Sequence, residues 1–185
     1  MTTEKEQRLR DKLLPEIEAF KHERNSLQLA TQDATGTPNA SYAPFAVADD
    51  GFYILVSELA RHGTNLKVSN KVSVMLVEDE ADAKSVFARK RLTFDATAQL
   101  IQRNTDAFDK GIDVLAQRLG SIIDNLATLE DFNLFKLSPH HGLYVKGFGQ
   151  AFSLSGNELL DVDWKRDGHH GTPKAELATS NESVS

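Results

Sequence analysis

Cysteine is absent from this 185-residue chain, which excludes disulfides, iron-sulfur clusters, thiolate ligation and every cysteine nucleophile. Any iron or other metal must then be held by His, Asp, Glu, Met or Tyr. Positive charge is in deficit: 21 Lys+Arg face 27 Asp+Glu, a net charge of -6 with no polybasic tail. No nucleic-acid partner is expected from that balance. No run approaches the ~18 apolar residues of a membrane span, and residues 1–10 are charged, so the expectation is a cytoplasmic protein without a membrane partner. The spacings of GxSxG, HExxH, Walker, GxGxxG and EF-hand motifs are also missing, which favours a grafted cofactor site over a familiar catalytic loop.

What is present reads as one domain with enough apolar residues to close a core without staples. Leu9, Leu13, Ile17 and Phe20 fall at helical spacing, so a helix is predicted over 4–24, kinked or divided at Pro15. Strands are predicted for Ser26 to Thr31, Pro38 to Val47 and Phe52 to Ser57, joined by Asp33-Ala-Thr-Gly36 and Asp49-Asp50-Gly51 as two consecutive hairpins of a meander. A short helix over 58–69 and a strand from Val72 to Val77 follow. Arg91 to Leu100 alternates cleanly, with Leu92, Phe94, Ala96, Ala98 and Leu100 on one face and Arg91, Thr93, Asp95, Thr97 and Gln99 on the other. Phe108, Ile112, Leu115, Leu119, Ile122 and Leu126 mark another helix, which Gly111 and Gly120 weaken and can split. Strands at 133–137 and 143–152 flank a Pro139-His-His-Gly142 turn, and Gly147-Phe-Gly149 suggests a bulge within the second. Beyond Asp161 the apolar pattern fades. The fold class is a mixed β-barrel with peripheral helices (α+β), not a doubly wound sheet.

Five features are candidates for chemistry. Arg61, His62 and Asn65 follow a strand and could meet an anion, although Thr64 and Asn65 could equally cap local backbone. Arg89-Lys90-Arg91 is the densest basic run. Arg91 shares the non-core face with Thr93 and Asp95, and its paired donors would suit a carboxylate or phosphate in a cleft closed by a partner. His140-His141 and Gly168-His169-His170-Gly171 place paired histidines in loops, where they are commonly idle; His169 or His170 could nevertheless serve as an axial haem ligand. Glu130-Asp131 precedes a strand, and its plain role is a cap.

Taken together, Leu27-Gln-Leu-Ala-Thr31, Asn39-Ala-Ser-Tyr-Ala-Pro-Phe45, Ala60-Arg-His62 with Asn65-Leu66, Phe87-Ala-Arg-Lys-Arg-Leu-Thr-Phe94, Asp131-Phe132 and Val145-Lys-Gly-Phe-Gly-Gln150 closely resemble the bacterial haem-utilisation family of HutZ type. That family belongs to the FMN-binding split-barrel superfamily, alongside pyridoxamine phosphate oxidases. The resemblance runs from about residue 8 to about residue 170. It implies a homodimer, with a split-barrel domain at 1–161 and a tail at 162–185 carrying the ligand. Haem b is substrate and cofactor in an intersubunit cleft, is opened with oxygen and electrons from a reductase or small reductant, and yields biliverdin and free iron. FMN is not expected. The family's axial ligand falls on His169, with His170 beside it as the alternative. The acidic partner of that ligand across the dimer falls on Asp131, the basic residue of the pocket on Arg91, and the family's barrel histidine on His62, which is not assigned to iron. Two rivals remain on the same scaffold: a haem carrier or storage protein without turnover, and a flavin-dependent oxidase holding an FMN phosphate with Arg61, Arg91 and Lys71.

Overall fold

The structure, a computed structural model, describes residues 4–155 and 161–164. Helix α1 (Glu4–Glu23) runs unbroken through Pro15, so the expected division there does not occur. Its apolar stripe Leu13, Ile17 and Phe20 is buried against the barrel interior. Strands β1 (Ser26–Gln32), β2 (Pro38–Pro44), β3 (Ala46–Ala48) and β4 (Gly51–Ser57) lead to helix α2 (Arg61–Val68). Strand β5 (Lys71–Val77), a 3-10 turn at Val86–Ala88 and strand β6 (Arg91–Ile101) precede helices α3 (Asp106–Leu119) and α4 (Ile122–Ala127). Strands β7 (Phe132–Gly147), β8 (Gln150–Ser155) and β9 (Asp161–Trp164) complete the described chain.

Every pairing is antiparallel, in the order β2-β1-β5-β6-β7-β4-β3, with β8 on β7 and β9 on β8. Both early turns join antiparallel strands, but the single strand expected over Pro38 to Val47 is divided into β2 and β3, so the hairpins β1–β2 and β3–β4 are not neighbours in a meander. Strand β4 pairs with β7 instead, because its run Phe52-Tyr-Ile-Leu-Val56 is buried on both faces and needs a central place. The sheet curls so that β2 returns beside β4. Inside the curl lie Leu27, Leu29, Phe45, Phe52, Ile54, Leu76, Phe94 and Phe135, with the Phe52 and Phe94 rings stacked at 4.8 Å. On the outer side of β4 and β7, Tyr53, Leu55, Ile101 and Leu134 pack against Phe108, Ile112, Leu115 and Ile123 of α3 and α4.

Three local expectations are corrected. In place of strands at 133–137 and 143–152 with a turn at 139–142, residues 132–147 form one continuous strand, β7, paired along its length with β6, and residues 150–152 belong to β8. Pro139-His140-His141 is accommodated as a bulge: Ala96 pairs with Pro139 and Asp95 with His141, leaving His140 over. A proline and an extra residue are tolerated in a central strand at such an interruption of the ladder. The bulge suggested at Gly147-Phe-Gly149 falls at the edge of that segment, where the β7–β8 register shifts between Val145 and Gly147, and Phe148-Gly149 form the turn between the two strands, with Gly149 at φ 69. The helical split falls at Gly120, which has φ 89 and ends α3, whereas α3 passes through Gly111 undisturbed. Gly111 serves close approach, since a Cβ there would lie 2.7 Å from Leu134 Cδ2 and 3.0 Å from the Tyr53 ring. Among the described residues no helix is long and apolar enough to cross a membrane.

Candidate functional site

Asp131 occupies the turn that feeds β7, and its neighbours hold it at both main chain and side chain. The Glu58 N–H donates to its carbonyl at 2.8 Å, and Asn133 Nδ2 donates to the same carbonyl at 3.2 Å. The Ser57 hydroxyl donates to its Oδ2 at 2.5 Å. Around this turn, Arg103 from the end of β6 sends its guanidinium into the carbonyls of Ala127, Leu129 and Phe132, at 2.5, 2.5 and 2.6 Å, bracketing Asp131 in sequence. Glu58 is itself held by Lys67 at 2.6 Å and Asn133 at 2.9 Å, and those donors keep its carboxyl below the ordinary carboxylate range. These bonds fix Asp131 in its turn at both main chain and side chain.

The basic run divides into structural and free members. Arg89 donates to the Glu78 carbonyl and pairs with Glu80 at 3.0 Å. Lys90 lies over the Phe20 ring, and its ammonium is 3.9 Å from Glu16. Arg91 is half-buried, on the non-core face as the alternation predicted, and its contact is a single hydrogen bond to the Arg89 carbonyl at 3.4 Å. It is the member of the run without a carboxylate partner among the described residues. The same sheet end carries two exposed aromatics, Phe87 on the approach to β6 and Phe148 in the β7–β8 turn.

Register separates Asp131 from Arg91. Arg91 pairs with Val145 near the end of β7, whereas Asp131 adjoins Phe132 at its start, three residues before Leu134, which pairs with Ile101 at the far end of β6. Ten steps of β6 and three of β7 lie between them, ~40 Å of strand contour at ~3.3 Å per residue. One subunit thus presents these two residues at opposite ends of its central ladder. Strand β9 finishes at the Arg91 end, because Trp164 pairs with Phe152, Phe152 with Tyr144, and Tyr144 with Leu92. His169 and His170 lie outside the described residues.

The remaining candidates are mostly structural. Asn65 is buried and donates to Thr31 Oγ1 at 3.0 Å, tying α2 to β1, while exposed Arg61 pairs with Asp33 at 3.7 Å. His62 is half-buried, and burial lowers its imidazole pKa below the ordinary value. His140, thrown out by the bulge, meets Thr97 Oγ1 at 2.7 Å and lines a groove of about 660 Å³ with Lys71, Asp95 and Thr31. Lys71 pairs with Thr97 and Val77 with Arg91, so Lys71 and Arg91 also sit at opposite ends of one ladder. Within one chain, Arg61, Lys71 and Arg91 do not converge on a single phosphate. Among the described residues no cluster of three or more His, Cys, Asp or Glu could hold a metal ion. Sequence reasoning missed Arg103 and Ser57, whose partners are main-chain carbonyls and a carboxylate distant in the chain.

This curled antiparallel sheet with an N-terminal helix over its open side is a split barrel, and the model of the pyridoxamine 5'-phosphate oxidase family matches residues 13–146. Heme oxygenase HutZ of Vibrio cholerae is 50% identical over 165 residues, covering 89% of this chain and 94% of the relative. A crystal structure of HutZ from Vibrio cholerae, described there as a heme storage protein, superposes with a TM-score of 0.70 at 52% identity, over 74% of this chain and 96% of that one. Campylobacter jejuni ChuZ superposes with a TM-score of 0.76 at 35% identity, over 90% of this chain and 67% of that one. The chain belongs to the HutZ family of split-barrel proteins.

Proposed function

We propose that this chain is a haem oxygenase: it binds haem as substrate, opens the ring with oxygen and electrons from a reductase or small reductant, and releases biliverdin and iron in the cytoplasm. The reading takes its chemistry from relatives named heme oxygenase and heme storage protein. One observation about this chain carries it furthest: β9 returns the backbone to the Arg91 end of the sheet, while Asp131 is fixed at the other end. Haem needs an apolar slot, a cation near its carboxylate edge and one axial donor. Arg91 is a guanidinium without a carboxylate partner among the described residues, and it suits a propionate. His169 is proposed as the axial ligand, with His170 as the alternative, from a tail distinct from the 1–161 barrel domain. His169 stands five positions after Trp164, a reach of at most ~18 Å. Trp164, from which that tail departs, lies at the Arg91 end of the sheet, opposite to the end that holds its own subunit's Asp131.

A homodimer resolves the separation. Two-fold pairing brings the Asp131 end of one subunit to the Arg91 end of its partner, giving two equivalent sites. There the carboxylate of Asp131 accepts a hydrogen bond from the other imidazole nitrogen of the axial histidine, fixing its tautomer and raising its donation to the iron. The non-core face of β6, with half-buried Thr93 and exposed Asp95, is the surface such a partner covers. We propose no resident FMN.

The test is reduction of the haem complex in air with ascorbate or a reductase. Loss of the Soret band with a bilin product is expected. A Soret band that persists under reduction would make the protein a carrier or storage protein. Yellow protein that takes up no haem would make it a flavin oxidase.

A further inference from the structure

We propose that Ser57 is a positioning residue for Asp131, holding one carboxylate oxygen so that the other is presented to the axial histidine. This inference rests on the role given to Asp131 above. The Ser57 hydroxyl has one proton and two acceptor directions. The Leu59 N–H donates to Ser57 Oγ at 3.0 Å, which occupies an acceptor side, and Asp131 Oδ2 stands at 2.5 Å. A carboxylate offers no proton, so the Ser57 proton is committed to Oδ2. Asp131 Oδ1 is the oxygen left to accept from elsewhere.

The hydroxyl is itself placed by local structure. Ser57 ends β4, where its register partner is Phe132, the residue after Asp131, and the two strand ends are locked by the hydrogen bond from the Glu58 N–H to the Asp131 carbonyl. Behind it, α2 approaches so closely at Gly63 that a Cβ there would lie 2.1 Å from the Ser57 carbonyl oxygen. Arg103 immobilises the main chain on either side of Asp131, while Ser57 is the group that fixes its side chain. An outer partner that orients a ligand-bonding carboxylate changes metal-site activity by about 10–100-fold when it is lost.

The test compares Ser57→Ala, Ser57→Thr and Asp131→Asn as full-length haem complexes. The readouts are the iron-histidine stretching band of the ferrous state, degradation rate and thermal midpoint. Ser57→Ala is expected to lower and broaden that band toward Asp131→Asn and to slow degradation roughly tenfold, with an unchanged midpoint. Ser57→Thr, which keeps the hydroxyl, is expected to retain the parent band and rate. If Ser57→Ala does not fold, Ser57→Cys, with its weaker donor, takes its place with the same expectation. A parent-like band and rate in Ser57→Ala, with both altered in Asp131→Asn, overturns the role of Ser57 alone. A parent-like band in Asp131→Asn overturns the role of Asp131 and this inference with it.

Discussion

The hydroxyl of Tyr144, buried in β7, donates to Oε1 of Glu16 at 2.9 Å, and Lys146 two residues on reaches Oε2 of the same carboxylate at 2.5 Å. One acidic side chain on α1 thereby clamps the helix across the open side of the barrel. Burial alone would raise the Glu16 carboxyl, but the hydrogen bonds from Lys146 and Tyr144, with the charges of Lys146 and Lys90, bring it below its ordinary value. Burial and the same carboxylate raise Tyr144 well above its ordinary range.

A depressed carboxyl contributes stability that is complete above the unfolded value, near pH 4.5, and is lost as pH falls through the folded one. Glu16→Gln is therefore expected to cost about 1–3 kcal/mol at pH 7 and to flatten the acid limb of the stability curve. Denaturant melts of both proteins between pH 3 and pH 7 check this, and parallel acid limbs would contradict it.

Tyr53 provides the alkaline counterpart. Burial first, and then the charge and hydrogen bond of Asp50, push its hydroxyl up to about 12. The protonated phenol stabilises the fold fully below about pH 10, and that contribution is lost as pH rises through about 12. Ultraviolet titration against Tyr53→Phe should show this late step, and Asp50→Asn should bring it earlier. A Tyr53 step at pH 10 in the parent protein would rule the pairing out.

Arg103→Ala removes three donors from the carbonyls on either side of Asp131. We expect a loss of about 2–3 kcal/mol, with faster amide exchange at 127–133 than elsewhere. Uniform exchange changes would show that Arg103 is a general brace and not a local one. Gly63→Ala forces a Cβ against the Ser57 carbonyl, and should lower the melting temperature while altering the spectrum of the haem complex.

Arg91→Ala is expected to leave stability within about 0.5 kcal/mol, because the side chain breaks no ion pair on removal. Haem affinity should fall. Unchanged affinity and turnover would return Arg91 to an ordinary solvated cation. His169→Ala should lose axial ligation while His170→Ala keeps it, and the opposite result moves the ligand by one position. Heterodimers of His169→Ala with Asp131→Ala should recover one working site, and no recovery in exchanged heterodimers would refute the shared-site arrangement.

The sequence disclosed most where the chemistry is local. The period-two alternation of Arg91 to Leu100 placed Arg91 on the outer face and Phe94 in the core, because each β-residue alternates independently of distant partners. The end of α3 at Gly120, one of the two glycines expected to weaken that helix, follows the same logic. What stayed hidden depends on partners far along the chain. The Pro139-His-His-Gly142 segment has turn composition, yet eleven pairings with β6 keep it extended. Ser57 carries no local mark of its bond to Asp131, which lies 74 residues away. Arg103 resembles any loop cation until the end of α4, the turn after it and the start of β7 bring three carbonyls to it. His169 and His170 depend on the resemblance alone.

The uninterrupted course of β7, kept whole by extruding His140 as a bulge, has a geometric consequence. In the proposed two-fold pair, one strand would begin beside the carboxylate of one site and end beside the guanidinium of the other, and would act as a ruler setting the spacing between the two proposed pockets. A pair of residues inserted at the bulge would keep every side chain on its own face, yet in that proposed pair would shift the carboxylate relative to the partner's guanidinium and so alter both pockets at once.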